Sequence, residues 1–180
     1  SAVDGGAVSV TSGTLVLADG TIRNNTATRN GGGVYTDGGG KLSMSDSAVI
    51  AGNRVEHDTG GSGGGVYAHN STIDMTGGTI GGAGSDANTA PYGGGVYLYS
   101  RDSYHSTFTM SGGAVCGNKS TGNGGGVYVY DGCTFTMSDS AEVRGNKISG
   151  SESSNTSNGH GGGVYVVNGT FTMNGGAVCG

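Results

Sequence analysis

The chain has 180 residues, 42 of them glycine, with one proline, no tryptophan and a formal net charge of −5. Glycine is far above ordinary globular usage, yet there is no Gly-X-Y period and no proline enrichment, which excludes a collagen. Its eight lysines and arginines are dispersed along the sequence, and no apolar run reaches the length of a membrane-spanning helix. Neither nucleic-acid binding nor membrane insertion by this segment is therefore expected.

The elements recur in chain order as one repeated unit. The first unit reads GGAVSV (5–10), TLVL (14–17) and TIRNN (21–25), and the second GGGVYT (31–36), KLSM (41–44) and VIAGN (49–53). An insertion at 54–62 precedes the third unit, with GGGVY at 63–67, TIDM at 72–75 and Ile80 beyond it. The fourth has GGGVYLY (93–99), an insertion at 100–106, TFTM (107–110) and AVCGN (114–118). The fifth has GGGVYVY (124–130), TFTM (134–137) and EVRGN (142–146). After a third insertion at 147–160 the sixth starts again at GGGVY (161–165). Spacings of 26 to 37 residues between the valines of successive units point to a solenoid.

All three segments of a unit alternate apolar and polar residues with period two, which predicts half-buried strands rather than helices. The alternation places Val8, Val34, Val66, Val96, Val127 and Val164 in one inward column. Leu15, Leu42, Ile73, Phe108, Phe135 and Phe171 make a second, and Leu17 with all five methionines a third. Columns of like residues, three short strands per turn and one turn per repeat describe an all-β fold. The expected fold is a right-handed parallel β-helix of about five to six coils. Residues 1–180 read as a single β-helical segment, which begins and ends inside a repeat and so is expected to belong to a longer repeat protein. Open strand edges at its ends would allow end-to-end self-association.

Glycines belong at the corners, where stacked backbones approach closely and φ turns positive. A second corner uses SGG, TGG or NGG, or else SDS at 45–47 and 138–140, an Asp-led turn one residue longer. Asn25, Asn53, Asn118 and Asn146 follow the third strand, where stacked amides can form a hydrogen-bonded ladder. Cys116 and Cys179 fall in one column two coils apart, about 9–10 Å, too far for a disulfide. All three cysteines, Cys133 included, are expected to be free thiols.

GGGVYVYDGCTFTMSDSAEVRGN (124–146) resembles the short glycine-rich repeats of bacterial surface proteins with right-handed parallel β-helix folds. Its GGGV or GGAV and GN elements are similar to the GGAI and FxxN pairs of the chlamydial polymorphic outer-membrane proteins, which are autotransporter adhesins. The resemblance implies an extracellular or bacterial cell-surface stalk, often adhesive, with a host or cell-surface glycan or protein as partner.

Two outward faces are candidates for binding. Tyr35, Tyr67, Tyr97, Tyr128 and Tyr165 alternate with buried valines and predict an exposed aromatic stripe, flanked by a column containing Asp37, His69, Tyr99 and Tyr130. Such a stripe would offer a flat platform to sugar rings or a partner protein. On the second strand, Thr107/Thr109, Thr134/Thr136 and Thr170/Thr172 form Thr-X-Thr pairs similar to the arrays of ice-binding β-solenoids. Lys41 and Asp74 would interrupt that lattice at earlier coils.

Catalytic chemistry is sparse. Asp46 and Asp139 sit at turns, Asp74 stands alone on its strand and Glu142 has no paired acid, so the two carboxylates of a glycosidase are not assembled. Glu56, His57, Asp58, Glu152 and His160, in the insertions 54–62 and 147–160 on one edge of the rod, could approach one another and form a metal or acid–base site if the longer loop folds back. GGAGSD (81–86) is a single copy of a calcium nonapeptide, a motif that works in tandem. No cofactor or metal is expected. The leading expectation is a non-enzymatic stalk or adhesin. The alternatives are an ice-binding solenoid and a carbohydrate-active β-helix enzyme with its catalytic loops in the insertions or beyond this segment.

Overall fold

Period-two strands of three to five residues, separated by glycine corners, wind the chain into stacked coils. The computed structural model describes residues 2–57, 60–101, 103–149 and 159–180. Each coil pairs in parallel with the next, giving four parallel sheets of six strands. The fold is a parallel β-helix of six coils, and at about 4.8 Å per coil its sheets extend roughly 24 Å along the axis.

The first sheet stacks Val8–Thr11, Val34–Asp37, Val66–His69, Val96–Tyr99, Val127–Tyr130 and Val164–Val167. The second begins with Thr14–Leu17 and ends with Thr170–Met173, and the third runs from Thr21–Arg23 to Ala177–Cys179. Where three strands per coil were expected, the structure adds a short fourth. It comprises Ala2–Asp4, Thr26–Asn30, Arg54–Val55, Thr89–Ala90, Lys119–Ser120 and Lys147–Ile148. Most of these strands are two residues long, too short for alternation to be legible, and two open the segments 54–62 and 147–160 that read as insertions.

Every inward column lands in register. Val34, Val66, Val96 and Val127 are fully buried, as are Leu42, Ile73, Phe108 and Phe135 with the methionines Met44 to Met137. Phe108, Phe135 and Phe171 stack at centroid separations of 4.7 and 5.0 Å. Each buried aromatic removes a large apolar area from water and gains further from the ring contact.

The glycine triplet before each valine has a divided task. Gly93 is held at φ +60°, a left-handed conformation that suits glycine. Gly95 instead faces the neighbouring coil: a Cβ there would lie 2.7 Å from the Gly126 carbonyl oxygen and 2.8 Å from the Asn118 amide nitrogen. At the second corner Asp46 and Asp139 both take φ 50°, and the Ser45 and Ser138 hydroxyls donate to their carboxylates at 2.7 and 2.8 Å. The extra residue of that turn is a fully buried alanine, Ala48 or Ala141.

The amide ladder is continuous. The Nδ2 groups of Asn25, Asn53, Asn88 and Asn118 each donate at 3.0 Å to the Oδ1 of the next asparagine, ending on Asn146. Each Nδ2 from Asn53 onward also donates to a third-sheet carbonyl of the preceding coil, at 2.8–3.0 Å. Asn88 belongs to the ladder although GGAGSDAN hides it from the repeat. Gly81 supports it, since a Cβ there would fall 2.4 Å from the Asn118 Oδ1.

Candidate binding surface

The tyrosine of each GGGVY follows an inward valine and therefore leaves the wall of the first sheet. Register then places Tyr35, Tyr67, Tyr97, Tyr128 and Tyr165 one above another. Ring centroids are separated by 5.4, 5.5, 4.7 and 4.9 Å, and all pairs are near-parallel except Tyr97–Tyr128, which is tilted by 51°. These separations follow the strand spacing, so each ring covers the faces of its neighbours along the axis.

The expected exposed platform is corrected by this geometry. Tyr67, Tyr97 and Tyr128 are only 8–9% exposed, and Tyr35 and Tyr165 are half-buried. Their flat faces are spent on one another, and their flanks are closed by further rings. Tyr99 lies 6.2 and 6.4 Å from Tyr67 and Tyr97, and Tyr130 lies 6.1 Å from Tyr128. On the other side Tyr92 packs on Tyr128 at 6.2 Å and His160 on Tyr165 at 5.7 Å. Sequence reasoning missed Tyr92 and His160 as members of the stack. The available signal was their shared place immediately before a glycine triplet.

What remains open to solvent is the row of ring tips. None of the Tyr67, Tyr97 or Tyr128 phenol oxygens is a buried atom without a partner, so they meet water. Tyr35 donates to Asp37 Oδ2 at 3.4 Å. Burial pushes the phenols up in pKa, Tyr35 and Tyr128 to about 12 and Tyr67 and Tyr97 further in the same direction. At neutral pH the row is a line of uncharged hydroxyls that both donate and accept.

Beside it the second column is more accessible. Tyr99 and Tyr130 are half-buried and stack at 5.7 Å, while His69 lies 5.2 Å from Tyr99. His69 Nδ1 is 2.9 Å from Asp37 Oδ1, and its Nε2 is buried with no partner among the described residues.

The threonine face is also in register: Thr107, Thr134 and Thr170 pair in sequence, as do Thr109, Thr136 and Thr172. Toward the start of the chain it meets Lys41 and Asp74, which form an ion pair at 2.6 Å. Asp74, expected to stand alone, is thus neutralised across the strand boundary. Glu142 is likewise held by Arg144 at 2.8 Å, and Asp86 of GGAGSD by Arg23.

Within the insertions, Glu56 pairs with Arg54 and His160 belongs to the tyrosine stack; Asp58 and Glu152 lie outside the described residues. Cys116 pairs in register with Arg144 and Arg144 with Cys179, so the two thiols are two coils apart, and all three cysteines are free. The cations, dispersed in sequence, are not all dispersed in space. Coil stacking brings Arg54, Lys119 and Lys147 into one column of the fourth sheet. Among the described residues no helix is long and apolar enough to cross a membrane.

Residues 19–37, DGTIRNNTATRNGGGVYTD, match the Chlamydia polymorphic membrane protein repeat. The matched stretch runs from the third strand of one coil through Asn25 and the fourth strand to the GGGVY of the next. It therefore contains the amide ladder, the glycine corner and the first stacked tyrosine. A polymorphic membrane protein-like repeat is the class that fold and match together support. Proteins of that family are exposed at the outer membrane, which supports a cell-surface location in general. Neither the comparison with curated proteins nor that with solved structures gave a match.

Proposed function

We propose that this chain is a non-enzymatic β-helical segment of a cell-surface adhesin, binding a glycan or partner protein through the tyrosine–histidine face of the first sheet. The observation that carries the reading is the continuous aromatic face across five coils, whose phenol tips reach solvent while its rings are held rigid by stacking. The polymorphic membrane protein repeat supports a surface setting. Recognition on the inner column uses hydroxyls at ring edges. Stacking against a sugar face is left to the half-buried Tyr99 and Tyr130. Rigid hydroxyls and rings lose little conformational entropy on binding, the same advantage tyrosine brings to antibody paratopes.

A glycan array and surface-binding assays with candidate protein partners test this reading. Tyr99→Ala with Tyr130→Ala is expected to remove at least about 1 kcal/mol of binding, the lower bound for an anchoring contact. Tyr97→Phe, which deletes only a hydroxyl, is expected to weaken binding by a smaller factor. Unchanged binding in both variants would sink the proposal. The threonine register of the last three coils favours a second reading, ice binding. Thermal hysteresis that vanishes in Thr136→Lys would establish it in place of the first.

A further inference from the structure

The outer face of the fourth sheet carries chemistry that the tyrosine face does not use. Parallel pairing sets Arg54 opposite Thr89, Thr89 opposite Lys119, and Lys119 opposite Lys147. Arg54, Thr89 and Lys119, with His57, Thr121 and Ser149, border a groove of about 570 Å³. That volume lies in the range of sites that take small ligands.

Five of the eight lysines and arginines are neutralised where they stand. Arg23, Arg29, Lys41, Arg54 and Arg144 each hold a carboxylate, of Asp86, Asp4, Asp74, Glu56 and Glu142 respectively. Lys119 and Lys147 have no carboxylate partner among the described residues. They are directly opposite on adjacent strands, where like charges repel. An external anion laid across the two coils relieves that repulsion and gains from both charges.

The remaining lining indicates what carries the anion. Thr89, Thr121 and Ser149 offer hydroxyls. Ser120 at the floor is 1% exposed, and its Oγ has no partner among the described residues. The rim also joins the tyrosine face: Pro91 of the groove leads into Tyr92, whose ring packs on Tyr128, and Thr121 leads into Gly122. A Cβ on Gly122 would lie 2.7 Å from the Tyr92 ring. Glu56 also lines the groove but is paired with Arg54, which leaves Lys119 as the unneutralised charge of the lining. A hydroxyl-lined groove with a free cation, continuing into a row of phenols, suits a polyhydroxylated anion.

We infer that this groove binds the carboxylate or sulfate of an acidic saccharide. Lys119 in the groove and Lys147, opposite it on the adjacent strand beyond the lining, hold the anion, and the sugar chain continues past Tyr92 onto the tyrosine face. The inference rests on reading that face as a glycan-binding surface.

The test titrates the 180-residue chain with three hexasaccharides: sulfated heparin, carboxylated hyaluronan and neutral chitohexaose. At least one acidic probe is expected to bind about tenfold tighter than the neutral one and to lose most of that advantage between 50 and 300 mM salt, as screening requires. Which of the two acidic probes binds tighter separates sulfate from carboxylate. Lys119→Gln with Lys147→Gln is expected to abolish the preference and leave chitohexaose binding unchanged, with an unaltered circular dichroism spectrum and no fall in melting temperature. Lys119→Arg with Lys147→Arg is expected to restore it. Loss of acidic binding in the lysine variant with no effect of Tyr99→Ala and Tyr130→Ala would keep the groove and remove the tyrosine reading. The opposite pattern would overturn the groove alone. Failure of both acidic probes to bind, or binding of polyglutamate as tightly as of either saccharide, would also overturn it.

Discussion

The asparagine corner and the tyrosine face are both columns of one residue type, repeated coil after coil at nearly the same spacing, yet they do opposite things. Asn53, Asn88 and Asn118 are completely buried, and each amide hydrogen bonds along the axis as well as to a backbone carbonyl or N–H. Tyr67, Tyr97 and Tyr128 are nearly as enclosed, but by one another, and their hydroxyls remain turned to water. Stacking alone therefore does not separate a column that completes the wall from one that presents polar atoms to solvent. The separation comes from where the polar atoms end: inside the wall they must be matched to the last bond, while outside they are free to recognise something else.

The largest effect expected of this contrast is at the ladder. Asn118→Ala removes the acceptor for Asn88 and the donor to Asn146 and Ile80, leaving buried amide groups unsatisfied. Urea unfolding should register a loss of about 3 kcal/mol or more, since each orphaned group costs about 1–3 kcal/mol. Asn25→Ala, at the part-buried end of the same ladder, should lose about 1 kcal/mol. Equal losses would show that the ladder does not act as a continuous network.

Gly95→Ala tests the same corner from the other side. The added methyl strikes Gly126 of the next coil and the Asn118 amide, and overpacking of this kind costs about 1–3 kcal/mol. At the tyrosine face the expected magnitude differs: Tyr97→Phe keeps the stack and deletes only a hydroxyl that has no partner among the described residues, so it should change stability by less than about 0.5 kcal/mol. A stability loss as large as that of Asn118→Ala would make the tyrosines structural in the same sense as the asparagines.

The phenols also give the stack a pH signature. Burial raises the folded pKa of Tyr35 and Tyr128 to about 12, above the unfolded value near 10. The unfolded chain therefore releases these protons first as pH rises. Stability from the stack is complete below about pH 10 and declines between pH 10 and 12. Phenolate absorbance of the folded chain should lag that of the urea-unfolded chain across this window. Coincident titration curves would contradict the buried stack.

The smallest effect concerns the thiols. Cys116 and Cys133 are buried, with burial pushing Cys133 up to about 11, whereas Cys179 is exposed. Native protein should present about one fast-reacting thiol to a disulfide reagent, and unfolded protein three.

Much of this was legible before any coordinates. The alternation in GGGVYVY and TFTM fixes which side chains enter the core, and equal columns then fix the register. Asn88 was not legible, because GGAGSDAN replaces the usual GN and adds a turn that shifts the amide away from its expected spacing. The fourth strand was not legible because two residues cannot display a period. The enclosure of the tyrosines was missed because alternation reports the side of the wall a residue leaves from, and says nothing of the direction its ring then takes.

By itself, then, the sequence determined the coil, the corners, the inward columns and the free thiols, all of which follow from local period and one-dimensional repetition. Tertiary structure decided how the outer side chains meet: rings face to face with only their tips in water, Tyr92 and His160 closing the stack, and Lys119 set against Lys147. The physical reason is the spacing between coils, close to the reach of a single aromatic or cationic side chain. Residues about thirty positions apart in sequence are therefore nearest neighbours, and their chemistry exists only once the coils are stacked.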